Sequence, residues 1–160
     1  MLAVSVKDHE SRKAEQELAD FRRFVVAASL PISGGSERNG DASLGEPDIV
    51  CILDGRPAGF ELTAACAPEF AATATKAGKT AFGVSAAFGE DVTAHTLRKK
   101  LTKTYSIPPP VHLLIYRGQT ALTDEMIIDR LKPELSGGLG PFNEIWFHGD
   151  NVHLLATADS

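Results

Sequence analysis

Apolar residues near the start of the chain recur at a spacing of three or four positions, from about residue 7 to residue 28. The positions that share this spacing are Ala14, Leu18, Phe21, Val25 and Ala28. An α-helix has about 3.6 residues per turn, so these side chains form one apolar stripe along its surface. The pattern therefore predicts an amphipathic first helix that packs against the rest of the fold through this stripe.

The next pattern consists of two short apolar runs on either side of a turn, in EPDIVCILDGRPAGFELT at residues 46–63. Two such runs separated by turn residues are typical of a β-hairpin, which we place at roughly 48–63. The hairpin follows a segment at about 33–46 that is rich in Gly, Ser, Asn and Asp. This segment is expected to form a long, mobile loop.

Two hairpin registers are compatible with the sequence. A two-residue loop at positions 54–55 places Asp48 opposite Glu61. A four-residue loop that includes Pro57 places Asp48 opposite Thr63, with Glu61 diagonal to it. We favour the longer loop, because proline lacks the N–H group that a paired strand needs. In both registers Asp48, Glu61 and Thr63 share one face of the hairpin, because side chains alternate across a strand.

The rest of the chain alternates helical and extended patterns. Helices are predicted at 67–79, 91–105 and 123–135, and strands at 111–116 and, as a pair around a turn, within 143–157. Together with the first helix and the hairpin, this order predicts an α/β fold with a mixed central sheet flanked by helices. A chain of 160 residues is expected to form a single domain with its own core.

Composition narrows the functional classes. The net charge of −5 gives no overall basic field, so binding to nucleic acid would need a local patch. The sequence shows neither the long apolar region of a signal peptide nor a run that could cross a bilayer, so we expect a cytoplasmic protein without membrane contact. Cys51 and Cys66 lack metal-ligand spacing and are expected to be reduced core residues.

The hairpin places two acids where core residues would be expected. Asp48 opens its first strand and Glu61 interrupts its second. Two adjacent carboxylates raise each other's pKa unless a cation lies between them. A hard divalent metal such as Mg²⁺ accepts oxygen ligands of this kind and can activate water. The alternative is structural: Asp48 ends the preceding loop, and Glu61 lies on a solvated face of the sheet.

Pro47-Asp48, followed by an apolar strand, a turn and Glu61-Leu62-Thr63, resembles the motif of the PD-(D/E)xK nuclease superfamily. Members of that family have a helix, a hairpin that carries the motif, a second helix and a further strand. The order of elements from about residue 7 to residue 116 is similar here. The resemblance implies a restriction-endonuclease-like core and a Mg²⁺- or Mn²⁺-dependent nuclease that cleaves DNA or RNA, with Asp48 and Glu61 as catalytic metal ligands.

Family members often contribute a third acid from the first helix. Glu17 falls at the edge of the apolar stripe and is the candidate third metal ligand, with Glu10, two turns earlier, as the fallback. The alternative role for Glu17 is an ion pair with Lys13, one turn earlier on the same helix.

The chain departs from the family at the motif lysine, where Thr63 stands. A threonine hydroxyl alone cannot supply the positive charge that orients the attacking water, although Thr63 remains in the candidate catalytic set by its position. In some relatives the cation comes from the following helix. There we favour Lys76 over Lys79, because Gly78 is expected to end the helix.

Two further hypotheses stay open beside the nuclease. One is a nuclease-like fold that binds nucleic acid or a protein partner without cleavage, and the other is an immunity-like module whose acidic surface meets a basic partner. The basic run at Arg98, Lys99, Lys100 and Lys103 could contact phosphates, but we interpret it as the solvated face of a helix. His112 and His153 are interpreted as surface or satisfied core residues.

Overall fold

The computed structural model describes residues 6–65, 92–107, 110–118 and 120–158. Three helices lie in these ranges: α1 (Val6–Ala28), α2 (Val92–Lys100) and α3 (Asp124–Leu131). The strands are β1 (Arg38–Asn39), β2 (Ile49–Leu53), β3 (Arg56–Ala65), β4 (Val111–Arg117), β5 (Glu144–His148) and β6 (Val152–Thr157). Short 3₁₀ turns occur at Ala42–Leu44 and Lys132–Leu135.

The six strands form one mixed sheet in the order β1-β2-β3-β4-β5-β6. β1, β2 and β3 pair antiparallel, β3, β4 and β5 pair parallel, and β5 and β6 pair antiparallel. Parallel neighbours need a crossover, and α2 and α3 lie in the two connections concerned. The predicted α/β class and mixed sheet are confirmed.

Helices cover both faces of the sheet. On one face, the α1 side chains Phe21 and Phe24 pack against a cluster that includes Ile49, Phe60 and Leu114. Rings reinforce this contact, with 4.9 Å between the centroids of Phe21 and Phe60. The prediction that the first helix packs on the sheet through its apolar stripe is therefore confirmed.

The opposite face carries the second core cluster. Leu97 of α2 and Ile127 and Leu131 of α3 pack there against Leu113 and Ile145 of the sheet. Thr123 begins α3, because its side-chain oxygen accepts a hydrogen bond from the Met126 N–H. The predicted helix at 91–105 is shorter than expected and ends at Lys100.

The hairpin register differs from the one favoured by the sequence. Leu53 pairs with Arg56, so the loop has two residues, Asp54 and Gly55, with φ of 52° and 78°. Positive φ at both positions is the signature of a tight hairpin turn whose twist matches that of the strands. The four-residue loop was the wrong choice.

Pro57 fits the two-residue turn because of where its nitrogen points. Leu53 and Arg56 flank the turn as a hydrogen-bonded pair, so the next pair, Ile52 and Pro57, directs its backbone groups outward. The Ile52 N–H accordingly bonds to the Ser36 hydroxyl, outside the hairpin. The missing N–H of Pro57 faces the side of β4, whose pairing with β3 begins only at Gly59.

The segment at 33–46 has more regular structure than the sequence predicted. It contains β1 and a 3₁₀ turn that Asp41 begins, and the Arg38 guanidinium makes two bonds to the Glu46 carboxylate, of 3.0 Å and 2.9 Å. The predicted helix at 67–79, including Lys76 and Lys79, lies outside the described residues, as does Cys66. Cys51 is a buried free thiol, as expected.

Candidate active site at the Asp48–Glu61 carboxylate pair

Asp48 and Glu61 meet at the start of the hairpin. Ile49 pairs with Phe60, so the register continues to Asp48 opposite Glu61. Two bonds connect the positions: the Leu62 N–H donates to Asp48 Oδ2 at 2.9 Å, and the Asp48 N–H donates to Glu61 Oε1 at 3.3 Å. The structure thus brings the two predicted acids together, with Glu61 on β3 and Asp48 at the end of the loop immediately before β2.

Glu61 is a buried carboxylate held by two lysines. Its residue surface is 1% exposed, and Oε2 accepts from Lys100 Nζ at 2.7 Å and from Lys103 Nζ at 2.6 Å. The Lys100 side chain is 21% exposed and that of Lys103 is 49% exposed. An ionised carboxylate at this depth requires such charged donors, because burial without a partner is costly. The structural alternative placed Glu61 on a solvated face of the sheet. The burial of Glu61 contradicts that alternative.

The pKa values of Glu61 and Asp48 shift in opposite directions. Burial raises the pKa of Glu61, but the hydrogen bonds and charges of Lys100 and Lys103 outweigh it, so the pKa lies below its usual value. Burial and the negative charge of Glu61 raise the pKa of Asp48, and the Leu62 N–H only partly offsets them. Glu61 is thus the fixed negative charge of the pair, and Asp48 is the member whose ionisation is disfavoured.

Glu17 joins this pair from α1. It is half-buried, and burial together with the charges of Asp48 and Glu61 raises its pKa to about 7. The charge of Lys13 lowers this pKa only in part and does not balance the site. Glu10, the fallback acid, is exposed. A carboxyl with a pKa near neutrality is a candidate for proton exchange at physiological pH.

Tyr105 adds a buried hydroxyl beside the carboxylates. Burial and the charge of Glu61 raise the pKa of this phenol well above its usual value. The hydroxyl oxygen lies near the Glu61 carboxylate without a hydrogen bond of full geometry to any described residue. Lys103 Nζ lies 5.6 Å from the centroid of the Tyr105 ring, which holds the ammonium group near the site.

The other residues singled out in the sequence are Thr63, Lys76 and the basic run at 98–103. Thr63 lies two residues beyond Glu61 on β3, has the same side-chain parity and is half-buried. Lys76 lies outside the described residues, so its proposed role stays a prediction. The solvated-face interpretation is wrong for Lys100 and for the half-exposed Lys103, because both bond to the buried Glu61. Lys99 is exposed, and Arg98 bonds to Glu134 at 3.2 Å.

The sequence contained one indication that Lys100 and Lys103 lie near Glu61. The two are three positions apart at the end of a predicted helix, so they lie on one side of it. That helix precedes a strand expected to pair beside the Glu61 strand, which would bring its end near the carboxylate. The same spacing rule relates Lys99 to Lys103, four positions later, so the sequence points to this end of the helix without separating Lys100 from Lys99.

The two histidines of interest differ from each other. His153 Nε2 lies 3.3 Å from Asp124 Oδ2, a buried carboxylate that also accepts from the N–H groups of Asp150 and Asn151. His112 is buried, and neither ring nitrogen has a hydrogen bond of good geometry to a described residue. Its Nδ1 lies 3.5 Å from Glu144 Oε1, and burial lowers the pKa of the imidazole.

The carboxylates supply oxygen donors of the type that Mg²⁺ and Mn²⁺ prefer. Across residues 6–65, 92–107, 110–118 and 120–158, however, no three His, Cys, Asp or Glu side chains are grouped closely enough to hold a metal ion. No helix in these ranges is both long and apolar enough to cross a membrane. Comparison with family models, curated proteins and solved structures gives no significant match to the chain.

Proposed function

We propose that the protein is a Mg²⁺- or Mn²⁺-dependent phosphodiester hydrolase that cleaves DNA or RNA at the Asp48–Glu61 pair. The observation that carries this proposal is the pair of ammonium groups on Glu61 Oε2. Thr63 stands where PD-(D/E)xK nucleases have the motif lysine. Without Lys100 and Lys103, no cation would lie beside Glu61 in the described part of the site. Lys100, the last residue of α2, and Lys103, three positions beyond it, provide that positive charge.

The order of elements supports the same proposal. α1 precedes the β2–β3 hairpin, and α2 and β4 follow it, which is the order expected of the PD-(D/E)xK core. Asp48 and Glu61 lie opposite each other at the open end of the hairpin, and the pKa of Glu17, on α1, responds to the charges of both. Each member of the predicted metal-ligand set therefore comes from the element that the family resemblance assigns to it.

The charge balance favours a divalent cation. Lys100 and Lys103 both bond to Glu61, so the negative charges of Asp48 and Glu17 are offset only by the longer-range charges of Lys100 and, for Glu17, of Lys13. Burial together with the charges of Asp48 and Glu61 keeps a proton on Glu17 up to a pH of about 7. Oxygen donors with uncompensated charge fit Mg²⁺ or Mn²⁺, which would supply a more acidic water and neutralise charge on the phosphate.

In this proposal the residues of the chain have distinct roles. Asp48 and Glu61 would hold the metal. Glu17 is not grouped with them at metal-ligand distance in this structure, so it would complete the set only by moving toward them once it gives up its proton. Lys100 is the less exposed ammonium group and orients the attacking water and stabilises the developing charge. Lys103, half of whose side chain is exposed, is free to exchange Glu61 for a phosphate oxygen of the substrate.

The second candidate is the nuclease-like fold that binds a partner without cleavage. The observation that favours it is that Glu61 is already neutralised within the chain, since Oε2 accepts from both lysines. A site balanced by its own lysines needs no metal to be stable. The net charge of −5 would then suit a basic protein partner.

A metal titration combined with a cleavage assay distinguishes the two candidates. The hydrolase predicts calorimetric binding of Mg²⁺ or Mn²⁺ that Asp48→Asn abolishes, and metal-dependent cleavage of at least one of single- or double-stranded DNA or RNA. The binding module predicts neither. Lys99→Met, on the exposed side of α2, is the matched control and should change neither result.

A further inference from the structure

β6 presents an open sheet edge of unusual composition. It is the last strand in the sheet order, and no other strand in the described ranges pairs with its outer side. Its sequence, VHLLAT, contains neither proline nor an acidic or lysine side chain. Natural edge strands are usually short, charged, interrupted by proline or covered, because their free backbone groups pair with other chains. β1, at the opposite edge, is only two residues long and needs no such cover.

The first half of β6 is the part available for pairing. The Gly149 N–H bonds to the Asn151 carbonyl, which fixes the alternation and turns the backbone N–H and C=O groups of Val152 and Leu154 outward. A register shift opposite Ile145 and Trp146 ends the regular pattern just beyond Leu154. Leu154 is 45% exposed and so belongs to the small set of exposed large apolar residues in the described ranges.

A cleft of about 330 Å³ lies beside this edge, between β6 and α3. On the helix side it is lined by Glu125, Ile128, Asp129 and Lys132, which are spaced as one stripe. α3 connects the parallel strands β4 and β5, so it runs against them and in the direction of β6. The stripe therefore has an acid at its first end, near the start of the helix, and a base at its last end.

We propose that this surface binds a second copy of the chain through a two-fold axis, with β6 antiparallel to its counterpart. In this pairing Val152 lies opposite Leu154 of the second copy, and the reverse, so that both outward-facing backbone pairs are used. The two apolar side chains lie on the same face of the strand and cover each other across the interface. The result is one continuous sheet through two subunits.

The charges of α3 favour a second copy in this orientation. Under the two-fold axis, α3 lies antiparallel to its counterpart, which places Glu125 against Lys132 of the second copy, and the reverse. Because the chain carries a net charge of −5, two copies repel in most orientations. This arrangement pairs unlike charges at both ends of the stripe and leaves the two Asp129 side chains, near its middle, as the like-charge contact. The two-fold axis closes the contact at a dimer.

The mass in solution tests the proposal, which is independent of the proposed activity. Sedimentation equilibrium of the full chain is expected to give twice the chain mass in the micromolar range. Leu154→Lys should shift this to the monomer, whereas Met126→Lys, which also replaces an exposed apolar residue but lies outside the cleft, should leave the dimer intact. Circular dichroism and the melting temperature establish that each variant is folded.

Charge reversal gives a test specific to the orientation. Glu125→Lys and Lys132→Glu should each weaken dimerisation at least tenfold, because each places like charges together at both ends of the interface. The double variant restores the unlike pairs and should recover most of the affinity. Loss of affinity in the double variant equal to the combined single losses would overturn the antiparallel arrangement.

Three outcomes would overturn the dimer as a whole. They are a monomeric wild type up to the submillimolar range, a dimer that Leu154→Lys leaves intact, and an assembly that grows beyond two copies. A monomer whose Val152 and Leu154 amides resist hydrogen exchange would show that another segment of the same chain covers the edge. That result would also overturn the proposal.

Discussion

Lys100 Nζ lies 2.7 Å from Glu61 Oε2 across 39 positions of sequence. This ion pair connects the end of α2 to the middle of β3. Lys103 Nζ lies 2.6 Å from the same oxygen. The buried carboxylate has no comparable donor on its own hairpin other than the Asp48 N–H, at 3.3 Å. The stability of this part of the fold and the chemistry of the candidate site therefore depend on the same two lysines.

Lys100→Met should destabilise the protein more than Lys103→Met. Removing one partner of a buried pair leaves an undercompensated charge, which costs several kcal/mol when no other donor remains. Because Lys103 still neutralises Glu61, we expect a loss of roughly 1–3 kcal/mol for Lys100→Met. Lys103 is half exposed, so its loss should cost less than about 1 kcal/mol.

Urea unfolding of the two variants measures this difference. Lys99→Met is the control, since Lys99 is exposed on the same helix, and it should fall within experimental error of the wild type. Equal effects of Lys99→Met and Lys100→Met would show that the buried ion pair contributes nothing to stability.

The raised pKa of Glu17 predicts that stability falls as pH rises through neutrality. In the folded protein this pKa is about 7, against an ordinary value of 4.5. The folded state therefore binds the proton more tightly than the unfolded state, so the contribution is complete below about pH 4.5 and is lost as pH rises through about 7. Glu17→Gln should remove this loss and stabilise the metal-free protein by roughly 1–2 kcal/mol at pH 8.

Melting temperatures between pH 5 and pH 8 in the presence of a chelator test the Glu17 assignment. Glu15→Gln changes an exposed acid two positions away on α1 and should leave the pH dependence unchanged. If the Glu17→Gln protein keeps the full slope of the wild type, the raised pKa belongs to another group.

Asp48→Asn and Glu61→Gln should change stability in opposite directions at neutral pH. Asp48 is held in an environment that disfavours its charge, and asparagine can still accept the bond from the Leu62 N–H, so a small gain is expected. Glu61→Gln leaves Lys100 and Lys103 together without their counter-charge, so a loss is expected.

Thermal unfolding of the metal-free variants checks the signs. The sequence alone suggests that removing either acid relieves repulsion, and the lysines reverse that expectation for Glu61 only. A gain in stability for both variants would mean that Lys100 and Lys103 do not pair with Glu61 in solution.

The sequence predicted the parts of the fold that depend on local pattern. The apolar stripe of α1 and the alternation of β2 and β3 each follow from side-chain spacing. The hairpin register was wrong because a sequence shows that Pro57 lacks a donor but not in which direction that donor would have pointed. Only the phase of the pairing decides that.

The candidate site was predictable where it depends on the hairpin and not where it depends on tertiary contact. Asp48 and Glu61 are brought together by strand parity, which is a local property. Lys100 and Lys103 reach Glu61 through the packing of α2, and a charged helix end can equally face solvent. The raised pKa of Glu17 likewise depends on its burial and on the charges of Asp48 and Glu61, which lie on other segments of the chain. The sequence around Glu17 does not specify it.

The last prediction concerns which lysine serves the proposed cleavage. If Lys100 is the functional cation, Lys100→Met should reduce the rate of Mg²⁺- or Mn²⁺-dependent cleavage by about two orders of magnitude or more, while calorimetric metal affinity changes little, because the ammonium group stabilises charge that develops in the reaction. Lys76→Met should then leave the rate unchanged, and Lys99→Met serves as the control for general loss of positive charge on α2. Lys103→Met should act mainly on the Michaelis constant for the nucleic acid, since its exposed ammonium group is placed to bind a phosphate. The reverse pattern, with loss in Lys76→Met and full activity in Lys100→Met, would assign the cation to Lys76 and limit Lys100 to holding Glu61 in the fold.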